Sequence, residues 1–407
     1  MREPLFEGAR LVARRLREAG KEAYFAGGCV RDMLRGVPPK DYDIATDATP
    51  KEVQRLFKRT LAVGAQFGVV LVRLPGSLEY EVATYRADGP YADGRRPTEV
   101  SYSTKKEEDV ARRDFTINAL LMDPETREVI DVVGGRDDLA NKLVRAVGEP
   151  ERRFAEDRLR MLRAVRFAAS LGFDIEPATL AGIRSHADAI DVVSKERVVA
   201  ELLSMWNGPD PKRSIELLLD TGLFGPLFPS SIAKPAELLE WFGRLKDALQ
   251  GLAPSSVPVI GFSLILDGLD RIDAVLRDLK LPREVIRGVS QVSSIRNRLL
   301  SHEGSLPDRL RVVIGEGWPR DRGYLFARGG LESVEPWDAL RRELDARPLP
   351  ELPIVTGQDL IDLGLQPSPR FKDLLSEVET AALERRVSNR EEALALLLSL
   401  VSSIRET

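Results

Sequence analysis

The sequence predicts an α/β N-terminal part that is followed by an all-helical remainder. Between Lys21 and Arg86, short segments alternate apolar and polar residues, as strands do, and Gly and Pro turns separate them. After Pro150 the apolar residues recur with helical periodicity instead. The chain has 407 residues, enough for more than one domain. We place the first domain boundary near Glu149.

The individual elements follow from local signals. Thr49-Pro50 is a typical N-cap and first helical residue, and Pro75-Gly76-Ser77 is a turn between two strands. The expected helices are residues 4–19, Cys29–Leu34, Lys51–Phe57, Asp114–Met122, Phe371–Arg385 and Asn389–Arg405. The expected strands are Lys21–Phe25, Asp41–Thr46, Val69–Leu74, Glu79–Arg86, Glu128–Val133 and Lys142–Val147. We interpret Ala87–Val100, which is polar and contains Gly and Pro, as a mobile loop.

Composition indicates a soluble cytoplasmic protein. The sequence has no run of about 18 apolar residues, so we expect no membrane span. The start, Met1-Arg2-Glu3-Pro4, has no apolar signal core. Its single cysteine, Cys29, excludes an intrachain disulfide and fits a reducing compartment. The two histidines, His186 and His302, leave little material for histidine-based metal sites. No sequence feature indicates the oligomeric state.

Charge is concentrated in one segment. The net charge is −4, so the whole chain is not a general nucleic-acid binder. The segment 141–170 nevertheless carries eight basic residues against four acidic ones. The basic residues are Lys142, Arg145, Arg152, Arg153, Arg158, Arg160, Arg163 and Arg166. A local basic strip of this kind suits a polyanionic ligand.

Asp41 and Asp43 are the first candidate site residues. In a strand, residues i and i+2 point to the same face, about 7 Å apart along the backbone. Two carboxylates that close repel each other unless a cation lies between them, and Mg²⁺ prefers carboxylate and phosphate oxygens. The alternative is two solvated aspartates on an edge strand.

Gly27 and Gly28 precede the short helix and can let its backbone approach a phosphate group. Arg31 adds a charged donor on the first turn. Asp32 can pair with a local arginine, and we give it no ligand role. A third carboxylate is Glu81 or Glu79, which share one face of their strand. From the pattern alone, the two are equal candidates.

Arg113 and Asp114 precede an apolar stretch. Asp114 can cap the expected helix, whereas Arg113 can either form a salt bridge or neutralise phosphate charge. Further on, Asp157 and Arg160 have i, i+3 spacing on an expected helix and can hydrogen-bond to each other. Such a pair can read a base: the carboxylate accepts from an exocyclic amine, and the guanidinium donates to a ring nitrogen. It would accept CTP and ATP and leave buried groups unpaired against GTP or UTP. Arg163 and Arg166 continue the row, either at phosphates or as solvated charges.

Together these residues resemble the class II tRNA nucleotidyltransferases, the CCA-adding enzymes and their poly(A) polymerase relatives. The matching motifs run in order along most of the chain. They are Gly27–Asp32 with Asp41-Tyr42-Asp43, Asp88–Pro97, Arg112-Arg113-Asp114 with Asn118, Asp131–Asp137, Glu156-Asp157 with Arg160, Glu196–Leu202, and Pro353–Leu360.

The resemblance implies a polymerase beta-like nucleotidyltransferase head at 1–149, a helical neck at 150–229, a body at 230–345 and a tRNA-binding tail at 346–407. It implies catalysis by Asp41, Asp43 and Glu81, with Mg²⁺ on the two aspartates, and it favours Glu81 over Glu79. It assigns Gly28, Arg31, Arg113, Asp157, Arg160, Arg163 and Arg166 to nucleotide contact, next to Gly27. The implied function is template-independent addition of CCA to the 3′ end of tRNA from CTP and ATP.

Three alternatives remain open at this point. The chain could add only A, it could synthesise poly(A), or it could be an inactive RNA-binding protein on the same scaffold. An intact Asp88–Pro97 loop disfavours CC-only addition, and the tail lacks the strongly basic run that would favour poly(A) synthesis.

Overall fold

The structure is a computed structural model that describes residues 3–61, 68–88, 100–302 and 304–405. The chain divides into two compact units. The first comprises Met1–Ser230 and Asp278–Leu281, and the second comprises Ser231–Arg277 and Pro282–Thr407. The predicted loop Ala87–Val100 lies mostly outside the described residues. At its two ends, strands Arg86–Asp88 and Val100–Tyr102 form a short antiparallel pair.

The N-terminal part mixes strands and helices, as predicted. Its helices are α1 (Glu3–Glu18), α2 (Gly28–Leu34), α3 (Pro50–Leu56), α4 (Lys106–Ala111) and α5 (Gly135–Ala140). Its strands are β1 (Ala23–Ala26), β2 (Asp43–Thr46), β3 (Thr60–Leu61), β4 (Val69–Leu74), β5 (Leu78–Thr84), β6 (Arg86–Asp88), β7 (Val100–Tyr102), β8 (Leu121–Met122), β9 (Val129–Ile130) and β10 (Leu143–Val144). The predicted N-cap of α3 is present, since Thr49 and Glu52 form a capping box.

The rest of the first unit is mainly helical. It contains α6 (Pro150–Glu156), α7 (Leu159–Leu171), β11 (Asp174–Ile175), α8 (Pro177–His186), α9 (Lys195–Trp206), α10 (Pro211–Asp220) and α11 (Phe224–Leu227). β11 pairs in parallel with β10. The predicted division into four domains, with boundaries after residues 149, 229 and 345, is finer than these two units and stays a prediction.

From Pro235 onward, the named elements of the described chain are helices. They are α12 (Pro235–Ala248), α13 (Ser256–Ile265), α14 (Ile272–Asp278), α15 (Arg283–Ser301), α16 (Leu306–Ile314), α17 (Trp318–Ala346), α18 (Gly357–Asp362), α19 (Arg370–Leu383) and α20 (Arg390–Arg405). α18, α19 and α20 enclose an apolar cluster of their own that includes Leu360, Val378 and Leu397. No helix among the described residues is long and apolar enough to cross a membrane.

One sheet positions the N-terminal part. Within the described residues its strand order is β3-β4-β5-β2-β1-β8-β9. β2 lies between β1, which is antiparallel to it, and β5, which is parallel. Ile44 on β2 is fully buried in the cluster that contains Phe25 and Val82, whereas its neighbour Ala45 belongs to a second cluster. Both faces of β2 are therefore covered by apolar side chains, and only its first residue lies at the edge of the core.

The predicted helix Asp114–Met122 is wrong. Residues Thr116–Asn118 form a single 3₁₀ turn, and Leu121–Met122 form strand β8 beside β1. This segment has no solvent-exposed face, because Phe115, Ile117 and Leu120 are all fully buried. Long-range burial against the sheet therefore overrides the local helical pattern. The strands predicted at 128–133 and 142–147 are present but shorter, as β9 and β10, and helix α5 lies between them.

Helix α5 packs closely on the 3₁₀ turn, and this contact gives a prediction. A Cβ atom on Gly135 would lie 2.2 Å from the carbonyl oxygen of Thr116, too close for any side chain. We expect Gly135→Ala to lower the free energy of unfolding of the first unit by about 3 kcal/mol, since backbone must move. Gly134→Ala is the control. Gly134 has φ +79° and nothing within 4 Å of a Cβ, so alanine there costs about 1 kcal/mol of left-handed strain. Equal losses in urea unfolding would contradict the role of the close contact.

Candidate active site

A cavity of about 690 Å³ opens in the first unit where the sheet faces the α7 helix. Its walls come from the β1–α2 turn, β2, β5, residues 112–118, the start of α7, and α9. All eleven predicted site residues lie in its lining: Gly27, Gly28, Arg31, Asp41, Asp43, Glu81, Arg113, Asp157, Arg160, Arg163 and Arg166. Carboxylates and arginines from several elements therefore share one space.

Strand register creates the acidic wall of this cavity. Ile44 pairs with Val82 in the parallel ladder, so the residues that precede them, Asp43 and Glu81, are neighbours on one face. The predicted strand begins at Asp41, but β2 begins at Asp43, so Asp41 lies just before the strand. It is exposed and lines the same cavity.

Burial and neighbouring carboxylates both disfavour a charged Asp43 in the acidic wall. Burial, reinforced by Asp41 and then Glu81, raises the pKa of Asp43 to about 7, although Arg113 opposes the shift. A carboxyl group held this way either keeps its proton or gains a cation. The pair Asp41 and Asp43 is thus a place where a divalent cation would relieve electrostatic repulsion.

The donor set fits a cation that also binds substrate oxygens. Across the described residues, no group of three or more His, Cys, Asp or Glu side chains is arranged to hold a metal ion. Two carboxylates alone do not enclose a cation. Mg²⁺, however, is commonly bound through one or two carboxylates plus substrate phosphates and water. Asp41 and Asp43 match that mode.

The structure separates Glu81 from its competitor. Glu79 pairs with Arg73 across β4 and β5, at 2.7 Å between carboxylate oxygen and Nε, and both side chains are about half exposed. Glu81 lines the cavity beside Asp43. Of the two glutamates, only Glu81 is therefore close to the aspartate pair.

The two glycines at the β1–α2 turn have different roles. Gly27 has φ +73°, a left-handed conformation that favours glycine, and its N–H donates to the carbonyl oxygen of Leu120. A Cβ on Gly27 would lie 3.1 Å from Nη1 of Arg113. Gly28 opens α2 and faces the cavity, where a Cβ would meet only Arg31, at 3.6 Å. Gly27 thus shapes the turn, and Gly28 leaves room at the cavity wall.

Arginine side chains in the cavity are held by acids and amides behind them. Arg31 is only 9 % exposed and donates to Oδ1 of Asn118 at 2.6 Å and to Asp32 at 2.9 Å. The pairing of Asp32 with a local arginine is as predicted. Arg113 is held by Asp109 at 3.0 Å and donates to the Asn118 carbonyl oxygen.

Asp114 does not cap a helix. Its carboxylate accepts from Nε and Nη2 of Arg163 at 2.8 and 2.6 Å. Burial disfavours the charged form of Asp114, but attraction and hydrogen bonding to Arg163 outweigh burial, so the pKa of Asp114 lies below its usual value. Asp114 therefore anchors a cavity arginine from the sheet side.

The predicted hydrogen bond between Asp157 and Arg160 is wrong. The expected continuous helix breaks at Asp157, which has extended backbone angles (φ −147°, ψ 106°) between α6 and α7. The Asp157 carboxylate pairs with Arg197 on α9, at 2.7 and 3.2 Å, and caps the backbone N–H of Leu159. Arg160 instead donates to Glu156 at 2.7 Å. The two side chains still face one cavity, but different partners hold them.

Three residues that organise this wall were not among the predicted site residues, although two of them, Arg197 and Glu201, lie in the motif Glu196–Leu202. Arg197 fixes Asp157, and Glu201 accepts from Nε of Arg166 at 2.5 Å. Their i, i+4 spacing on α9 was a usable signal, because it places both on one helical face. The third is Phe167, whose ring lines the cavity next to three arginines. A phenylalanine in an apolar helix gives no such signal by itself.

Comparisons with known proteins bear on this geometry. Residues 23–145 match the family described as Poly A polymerase head domain, and residues 172–233 match the one described as probable RNA and SrmB-binding site of polymerase A. The CCA-adding enzyme of Levilactobacillus brevis is 36% identical over 96% of both chains. That of Geobacillus stearothermophilus is 35% identical, again over 96% of both.

Solved structures agree. The Bacillus stearothermophilus CCA-adding enzyme in complex with CTP superposes with a TM-score of 0.82 and 31% identity, covering 99% of each chain. The Thermotoga maritima CCA-adding enzyme complexed with tRNA is 20% identical with a TM-score of 0.71, over 97% of this chain and 95% of that one, and shows a shared fold. The polymerase beta-like head with a mostly helical remainder is thereby confirmed. Membership of this family also implies use of a divalent metal ion. Because relatives that are 35% and 36% identical match 96% of its length, the chain belongs to the family of CCA-adding enzymes.

Proposed function

We propose that the chain adds C and A from CTP and ATP to the 3′ end of tRNA without a nucleic-acid template. The observation that carries this proposal is a single cavity in which two neighbouring aspartates face a wall of arginines. A nucleoside triphosphate needs both a cation at its phosphates and fixed positive charge along its tail. The specific reaction is inferred from the relatives of this chain, which are named CCA-adding enzymes. We place this reaction in the cytoplasm.

On the acidic side, we assign Mg²⁺ to Asp41 and Asp43. Bound there, it would favour deprotonation of the RNA 3′ hydroxyl and neutralise charge on the departing pyrophosphate. Glu81 strengthens the negative potential at Asp43, as its effect on the pKa of Asp43 indicates. We therefore assign Glu81 as the third catalytic carboxylate.

On the basic side, we assign Gly27, Gly28, Arg31, Arg113, Arg163 and Arg166 to the triphosphate. Phosphoryl transfer depends on positioning and on stabilising charge, which fixed guanidinium groups supply. Their protein partners, such as Asp114 and Glu201, hold them in place before the nucleotide arrives.

Asp157 and Arg160 remain our candidates for base reading. Each is fixed by a different partner, Arg197 or Glu156, so the two groups form a preset pair without bonding to each other. A carboxylate has several lone pairs, and Asp157 can accept from an exocyclic amine while it stays paired with Arg197. Cytosine and adenine both offer an amine beside an acceptor nitrogen. Guanine and uracil offer the reverse pattern.

The decisive experiment uses three tRNA transcripts, ending before CCA, after C, and after CC, each with CTP or ATP and Mg²⁺. We expect CTP to extend the first two transcripts and ATP only the third, as measured by gel mobility. If the first takes neither nucleotide while the third takes ATP, the chain adds only A. Long A tracts would indicate poly(A) synthesis, and no incorporation at all would favour an inactive RNA-binding protein.

Glu81 and Glu79 offer a matched pair on one strand face. We expect Glu81→Gln to lower kcat by about a hundredfold, because it removes charge beside the aspartate pair. Glu79→Gln removes only an exposed ion pair and should leave kcat within about twofold of the wild type. Both are measured as CTP incorporation at saturating tRNA. Equal effects from the two variants would remove Glu81 from the catalytic set.

Asp157→Ala tests base selection. We expect the preference for CTP and ATP over GTP and UTP to fall at least about tenfold, because an acceptor for the amine is lost. The Mg²⁺ dependence of the remaining activity should not change. Glu151→Ala, which removes an exposed carboxylate from α6, is the control. Undiminished selection in Asp157→Ala would place base reading elsewhere in the cavity.

A further inference from the structure

The aromatic ring of Phe167 is surrounded by guanidinium groups inside the cavity. The guanidinium carbon of Arg166 lies 4.1 Å from the ring centroid, that of Arg163 5.3 Å, and that of Arg31 5.5 Å. Two of these arginines come from the ring's own helix, α7, and the third comes from α2. One side chain is therefore shared by three cations from two elements.

The ring itself is firmly placed. Phe167 is 8 % exposed, and the ring of Phe115 packs edge-on against it with a centroid distance of 5.8 Å and an angle of 78°. A ring fixed in this way keeps its faces at constant positions. The cations beside it are then located relative to one another as well as to the ring.

Guanidinium groups gathered around one ring repel each other unless something attracts them all. Acidic partners do part of this, since Arg163 pairs with Asp114 and Arg166 with Glu201. Arg31 has a neutral partner, Asn118, besides Asp32. A carboxylate at the centre of the group would repel an incoming triphosphate. An aromatic face attracts cations through its quadrupole and carries no net charge.

We propose that Phe167 is a positioning residue for the triphosphate tail: its ring gathers Arg31, Arg163 and Arg166 into one polyphosphate-binding cluster before the nucleotide binds. This rests on the proposed function for the identity of the nucleotide. The binding of a polyphosphate group to the cluster is independent of the reaction that follows.

The first test measures binding of inorganic tripolyphosphate to the metal-free protein by calorimetry. Phe167→Leu keeps an apolar side chain and removes the ring, and it should raise the Kd about tenfold. Phe167→Tyr keeps the ring and should bind within about twofold of the wild type. A 3,4,5-trifluorophenylalanine at position 167 keeps the shape but weakens the quadrupole, and it should behave like Phe167→Leu. This last variant also decides the question if Phe167→Leu does not fold.

Phe173→Leu is the matched control. Phe173 follows the same helix, is 5 % exposed, and has one guanidinium, that of Arg35, at 5.6 Å from its ring. It is not part of the cavity lining. We expect a loss of thermal stability like that of Phe167→Leu, with no change in the Kd for tripolyphosphate.

The second test is kinetic. Phe167→Leu should raise KM for CTP and for ATP by the same factor, about tenfold, with kcat changed less than twofold. Selection against GTP and UTP should stay as in the wild type, since the base is read elsewhere.

The inference is overturned if the wild type does not bind tripolyphosphate, or if the trifluorinated variant binds it as tightly as the wild type does. It is also overturned if Phe167→Leu changes kcat but not KM. A wild type that binds tripolyphosphate and incorporates no nucleotide would reject the proposed function alone.

Discussion

Electrostatic repulsion between Asp43 and its acidic neighbours is the constraint on which the site depends. The strand ladder forces it: β2 is held on both sides by paired strands and on both faces by apolar clusters, so Asp43 cannot move away from Glu81. Folding energy from the apolar core thereby keeps like charges together. The arginine wall opposite has the complementary problem, with positive groups crowded around Phe167. A metal-bound triphosphate is the kind of ligand that would relieve both repulsions, with its cation at the carboxylates and its phosphates at the arginines.

Local signals were sufficient where the structure is local. The N-cap at Thr49 and the turn between β4 and β5 depend on residues within a few positions of each other, and the sequence predicts both. Asp41, Asp43 and the glycine turn line one cavity as the sequence indicated, although Asp41 lies just before β2 and not inside it. Choosing Glu81 from the pattern alone was not possible, because Glu79 shares its face. The register with β2 and the ion pair with Arg73 separate them.

Predictions from the sequence were wrong where contacts with residues distant in the chain determine the conformation. The segment 114–122 reads as a helix because its apolar residues are spaced like one, but burial against β1 and α5 turns it into a 3₁₀ turn and a strand. The Asp157 carboxylate binds Arg197, forty residues later, whereas Arg160 binds Glu156. Nothing within a short window of sequence contains the pairing with Arg197. The resemblance to a family pointed to residues that line one cavity, but it assigned no role to these partners.

Cys29 illustrates how the fold separates the chemistry of the site from that of the protein's one thiol. It follows the glycine turn directly, yet it is 2 % exposed, and its Sγ donates to the carbonyl oxygen of Ala26. Burial, with the nearby Asp43 charge, raises the pKa of this thiol to about 12. Thiolates are the reactive form, so we expect thiol-alkylating reagents to modify this buried cysteine slowly in the folded chain. A cysteine introduced on the surface can therefore carry a fluorescent label at one defined position, with no need to remove the native one.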